Sequence, residues 1–144
     1  MLLLTFSLKG NRYAIDATKV VEVLPQVCLR KIPKTPDYVA GVFVCRGSVV
    51  PVIDMCTLIY KNPCSKDIST RIVITIQREK KIGMLCEEVV ETIRVSKESL
   101  CPLPVETGTT PFLGKLIKAE EELLQLVEVE ELFGEDVEKA IFGG

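Results

Sequence analysis

Six cysteines, Cys28, Cys45, Cys56, Cys64, Cys86 and Cys101, offer this chain its widest choice of chemistry. Thiols act as nucleophiles, metal ligands or disulfide partners, and each use imposes a spacing or a partner. No C-x-x-C pair occurs, and the chain contains no histidine, so the mixed Cys/His zinc patterns are excluded. The same lack removes the Ser-His-Asp and Cys-His nucleophilic relays. Disulfides need an oxidising compartment, and the opening MLLLTFSLKG has no basic region of a secretory signal. Reduced thiols packed as small hydrophobes are therefore expected. Carboxylates fare no better. Glu87 and Glu88 are neighbours that a strand sends to opposite faces, and Glu120, Glu121 and Glu122 read as a solvated hairpin tip. No glycine-rich phosphate loop is present. The expectation is a protein that is not an enzyme, with no catalytic residues, no cofactor and no metal.

One cation is unusual for its surroundings. Arg46 lies in CRGSVVPVID, between the apolar runs YVAGVFV and VVPVID. It is either the solvated corner of a hairpin or a group presented to a partner. An arginine can lay its stem on an apolar groove while offering a planar fork of donors, which favours presentation.

The elements that must hold it read as a repeat. RYAIDATKVVEVL (Arg12 to Leu24) aligns without a gap with KIGMLCEEVVETI (Lys81 to Ile93), and VVPVIDMCTL (Val49 to Leu58) with LLQLVEVEEL (Leu123 to Leu132). Each half reads as short strands. Leu2, Leu4, Phe6 and Leu8 share one face of the first, and Ile72, Ile74 and Ile76 share one face of its counterpart. Lys9-Gly10 and Arg78-Glu79 fall at hairpin turns, and Pro51 points to an edge strand or a bulge. The fold class expected is mainly β. Two small barrels, each closing its own sheet, come from one domain over 1–144 with pseudo-repeat halves at 1–68 and 69–144. A short C-terminal helix, bent at Gly134, carries Val129, Leu132, Phe133, Val137 and Ile141.

Composition narrows the partners. A net charge of −2 gives no general pull toward nucleic acid or anionic lipid. No apolar run approaches the ~18 residues of a membrane span. A cytoplasmic protein that does not insert into the membrane is the expectation. Recognition then falls to strand edges and apolar grooves.

Taken in order, FSL…YAIDATKVVEV…IPKTPDYVAGVFVCRGSVVPVIDM…IGMLCEEVVETI…LLQLVEVEELF closely resembles the CheW-like domain of bacterial chemotaxis. The resemblance runs from about Leu4 to Phe133, and its most specific block is Val39 to Asp54. It implies two SH3-like five-stranded barrels and a non-catalytic adaptor. The implied partners are the cytoplasmic tips of methyl-accepting chemoreceptors and the regulatory domain of the histidine kinase CheA, in receptor arrays at the inner membrane. Carried over by motif, Val20, Glu22, Gly41 and Arg46 are implied in receptor binding, and Gly83 and Val89 in kinase and receptor contact. Gly41 and Gly83 also suit close strand approach, and Val20 and Val89 also suit a core.

Two rivals carry other expectations. A coupling protein of a type IV pilus or another chemosensory-like pathway would share every motif and differ in its partners. An oligonucleotide-binding barrel would need a basic, aromatic-rich groove, and this chain has no Trp, three Tyr and five Phe.

Overall fold

The computed structural model of the chain describes residues 1–103 and 112–132. Strands β1 (Leu2–Leu8) and β2 (Asn11–Asp16) form a hairpin, followed by β3 (Val20–Pro25), β4 (Val39–Cys45) and β5 (Ser48–Asp54). Helix α1 (Met55–Tyr60) leads to β6 (Arg71–Gln77), β7 (Lys80–Cys86) and β8 (Glu88–Arg94). Then come β9 (Leu100–Cys101), β10 (Leu113–Ala119), β11 (Glu122–Val127) and α2 (Val129–Leu132). Among the described residues the fold is mainly β, with two sheets ordered β3-β6-β7-β5-β4 and β8-β1-β2-β11-β10-β9.

The repeat is visible strand by strand. β1, β2, β3, β4 and β5 occupy the places in one half that β6, β7, β8, β10 and β11 occupy in the other, and both sheets use the same pairing order. The halves do not each close a sheet of their own, however; they exchange hairpins. β5 runs parallel to β7, with Val52 opposite Gly83, and β11 runs parallel to β2, with Gln125 opposite Tyr13. A parallel pair needs a crossover, which α1 begins as the chain leaves β5 for β6 and β7.

Closure follows from how the chain leaves β3 and β8. Beyond β3, Arg30 exchanges two backbone hydrogen bonds with Val42 of β4, both 2.9 Å. Beyond β8, the short β9 pairs with β10 in the matching position. Each sheet's far edge is thus met by its own continuing chain, at Val42 in one and at Leu116 and Ile117 in the other, which brings the sheet round toward closure.

The exchange also buries strands on both faces. Leu3 packs with Ala14, Ile117 and Leu124 inside one barrel, while Leu4, Phe6 and Leu8 pack on the other sheet's Val50, Val52 and Met84 cluster. Likewise Ile72, Val73, Ile74 and Thr75 are all buried, whereas Leu2 and Ile76, at strand ends, are exposed. Alternation alone assigns such strands one apolar face; the second appears only when two barrels share a core. Pro51 departs from expectation too, because β5 lies inside its sheet. The proline is tolerated because the pairing of β5 with β7 begins one residue later, at Val52. Helix α2 stands at the C-terminal end of the described residues, with Val129 and Leu132 buried. Phe133, Gly134, Val137 and Ile141 lie outside the described residues.

Glu87 pins this arrangement from the side. Its carboxylate accepts the Lys9 N–H at 2.5 Å and the Ser65 N–H at 2.7 Å, with Lys9 Nζ at 3.8 Å. Burial alone would push this carboxyl up, but the two N–H groups outweigh it and hold it below the usual range. A depressed carboxyl adds stability above its unfolded pKa and loses it as pH falls through the folded value. Glu87→Gln should therefore cost about 1 kcal/mol at pH 7, a difference that fades below about pH 4. Urea melts at pH 7 and pH 3 measure both.

Candidate functional site at a hairpin tip

The β4–β5 hairpin turns on Arg46 and Gly47, with φ of 49° and 82°. Two successive left-handed residues make the tight turn whose twist matches the strands on either side. Gly47 adopts this freely; Arg46 does so at a cost of about 1 kcal/mol. The tip leans across the barrel to the opposite edge strand, where Arg46 Nε donates to Glu22 Oε2 at 2.8 Å and Nη2 donates to Oε1 at 3.1 Å. This is a bidentate fork on a carboxylate. It holds the Glu22 carboxyl below its ordinary range and raises the guanidinium in return.

The pair is asymmetric in exposure. The Arg46 side chain is 71% exposed and that of Glu22 21%, so the carboxylate acts as a seat and the guanidinium as the presented group. Apolar side chains stand on the same elements. Val44 and Val49 face each other across the hairpin at 70% and 66% exposure, and Val21 and Val23 of β3 are also exposed. A cation seated beside exposed valines suits a partner that is part apolar and part acidic or carbonyl-rich.

The second barrel keeps two of the exposed apolar positions of this tip but not its cation, and Lys118 stands in place of Val44. Glu120, with φ 57°, stands where the repeat places Arg46, and Glu91 stands where it places Glu22. Leu123 and Val90 remain exposed in place of Val49 and Val21. Instead of bonding across the barrel, Glu91 and Glu122 lie near Arg12 at 3.9 and 3.4 Å. The two tips thus differ in charge: a cation seated on a carboxylate at one, and a glutamate at the turn of the other.

The other singled-out residues do not converge on this tip. Val20 is half-buried, on β3 two residues before Glu22. Gly41 is buried on β4; a Cβ there would sit 2.7 Å from Arg30 O, and its φ is 146°. It is the residue that lets the closing chain approach. Gly83 is buried in β7, where a Cβ would meet Ile72 Cγ2 at 2.9 Å and Val52 Cγ2 at 3.1 Å. Val89 is half-buried on β8, paired with Phe6.

Two features do not emerge from the sequence patterns. Val44 and Val49 sit in runs so apolar that no alternation shows which face is outward; the two-residue turn at Arg46-Gly47 is the signal that places them opposite each other. Asp54 is the N-cap of α1, accepting the Thr57 N–H at 3.0 Å, and an aspartate at the end of a strand run is the usual sign of such a cap. The Asp54, Cys56 and Cys64 donor atoms lie within 4.8 Å of one another, and all three residues are buried. Both Asp54 oxygens already accept backbone N–H groups.

Comparison with known proteins agrees with this geometry. The CheW-like domain family matches residues 2–137. A chemotaxis protein CheW of Klebsiella aerogenes is 29% identical over 135 residues, covering 92% of this chain and 81% of the relative. A chemotaxis protein CheW of Bacillus subtilis is 27% identical over 128 residues, covering 88% and 82%. The crystal structure of the scaffolding protein TtCheW from Thermoanaerobacter tengcongensis superposes with a TM-score of 0.85 at 29% identity, covering 94% of this chain and 89% of that one. This chain belongs to the CheW-like domain family.

Proposed function

We propose that the chain is a non-catalytic, cytoplasmic adaptor that couples chemoreceptors to the histidine kinase CheA. The family match over residues 2–137 carries this reading, supported by its similarity to chemotaxis CheW proteins and to the scaffolding protein TtCheW. The chemistry of the chain is consistent with it: no histidine, a seated guanidinium, and apolar barrel ends rather than a catalytic cleft. Among the described residues no helix is long and apolar enough to cross a membrane.

In this reading Arg46 reaches a receptor tip, with Glu22 holding its fork and Val20 shaping the strand beneath. Gly41 and Gly83 act by allowing close packing, and Val89 supports the matching strand of the second barrel. The differently charged barrel ends meet different surfaces, one on the receptor and one on the kinase regulatory domain. Coupling requires that these contacts differ between the two signalling states. Affinity capture with the tagged chain from its native cytoplasm tests the assignment: a CheA-type kinase and receptor tails should be recovered together. A kinase of another chemosensory pathway would redirect the proposal, and recovery of neither would overturn it.

The thiols are not part of coupling in this scheme. Cys28→Ser with Cys101→Ser should leave receptor and kinase affinities within about twofold of wild type, since neither residue is fully buried. Titration of receptor tails and kinase against the double variant checks this.

A further inference from the structure

Where β5 passes into α1, Asp54 holds two thiol-bearing segments with one carboxylate. Its Oδ1 accepts the Thr57 N–H of the helix at 3.0 Å, and its Oδ2 accepts the Cys64 N–H of the following loop at 3.1 Å. Cys56 and Cys64 are thereby brought face to face, with Sγ atoms 2.9 Å apart. A disulfide bond is about 2.05 Å long, so bonding needs less than about 1 Å of further approach. Cys56 is fully buried and Cys64 is 5% exposed, so the two thiols are not equivalent. A cleft of about 400 Å³ is walled by Asp54, Thr57, Pro63 and Leu85, the residues bonded or adjacent to the pair, although neither cysteine lines it.

We infer that Cys56 and Cys64 are an oxidation site at which a small peroxide closes a disulfide, tying α1 to the loop that follows it. The more accessible Cys64 sulfur attacks one peroxide oxygen, the O–O bond breaks, and Cys64 sulfenic acid and one water form. The Cys56 sulfur then attacks the Cys64 sulfur and expels the sulfenic oxygen as a second water. Two thiols and one hydrogen peroxide thus give one disulfide and two waters.

The surroundings favour this product over a bound metal. The Cys56 hydrogen bond, burial and the Asp54 charge all push the Cys64 thiol up, which makes the thiolates a metal needs scarce. A disulfide is neutral and apolar, and it removes two weak donors from a buried site. The same scarcity of thiolate makes the reaction slow. The tie would also brace the two sheets. The Tyr60 hydroxyl at the end of α1 bonds the Tyr13 hydroxyl and accepts the Asn11 side-chain amide at 2.8 Å.

The sequence provides a clean assay. Trypsin cuts after Lys61, between the two cysteines, so peptides Gly47 to Lys61 and Asn62 to Lys66 stay joined only through a disulfide. The probe is hydrogen peroxide, applied to the full chain carrying Cys28→Ser and Cys101→Ser, followed by denaturing alkylation and mass spectrometry. The expected result is one joined species, two hydrogens lighter than the sum, with two alkylatable thiols lost and regained on reduction. Cys64→Ala should abolish it, and the oxidised protein should melt at higher urea. Full alkylation of both peptides, after exposure that oxidises a free-cysteine control, would overturn the inference. So would cross-links through Cys86 or Cys45 at comparable yield. Protection with stoichiometric bound zinc and no mass loss would assign a metal site in its place.

Discussion

Gly41→Ala should lower the free energy of unfolding by about 3 kcal/mol, an effect large for one methyl group. The added Cβ would lie 2.7 Å from Arg30 O and 3.0 Å from Leu29 Cβ, and the φ of 146° is one that L-residues rarely adopt. Neither obstacle is the far end of a flexible side chain. Relief requires parting the Arg30–Val42 pair that closes the first barrel. Gly47→Ala is the control: its φ is also positive, at 82°, but nothing lies within 4 Å of its Cβ position. It should cost only about 1 kcal/mol, since conformation alone is penalised there. Urea melts of both variants, with m-values to confirm a common unfolding transition, give the comparison. Equal costs would mean that closure contributes little.

Arg46→Ala should weaken receptor-tail binding by about thirtyfold while leaving the urea midpoint close to that of the wild type. The pair with Glu22 sharpens this expectation. An exposed ion pair contributes little to folding, and the presented guanidinium is 71% exposed. Arg46→Lys should recover only part of the affinity, because an ammonium cannot reproduce the planar fork. Arg46→Glu should bind worse than alanine, since it adds repulsion to the lost contact. The exchange of Glu22→Arg with Arg46→Glu separates two roles. If the bridge matters only as an internal tie, the swapped protein binds normally. If the cation must stand at the tip, the swap restores the ion pair and leaves binding lost. We expect the second outcome, read by titration of receptor tails beside urea melts.

Which parts of this are legible in the sequence follows from how local their causes are. Hairpin turns at Lys9-Gly10 and Arg78-Glu79 are specified by adjacent residues and occur where expected, and Arg46-Gly47 proves to be a hairpin corner as well as a presented group. The repeat is legible because the two halves keep the same turn and strand spacing. The hairpin exchange is not, because the pattern of a strand says which face is apolar and not which sheet it joins. Strand β6 makes the point: Val73 and Thr75 are as buried as Ile72 and Ile74, since both of its faces meet protein. At the site, Arg46 stands out as a cation among valines, and Glu22 is marked only by its own motif. Their meeting depends on the barrel bringing β3 beneath the β4–β5 tip, a contact between residues 24 apart in sequence. Gly41 and Gly83 suit close approach by residue type alone, but the atoms approached belong to segments that only the closed barrel supplies.

The proposed role, carrying a receptor's state to a kinase, has a direct consequence for kinase activity. The most direct measurement is autophosphorylation of the cognate CheA, with receptor signalling fragments in their activating and inhibiting states, with and without this protein. The two receptor states should give different kinase rates only when the chain is present, and Arg46→Ala should remove most of that difference without unfolding the protein. Receptor control of the kinase that persists at full strength in the chain's absence would contradict it.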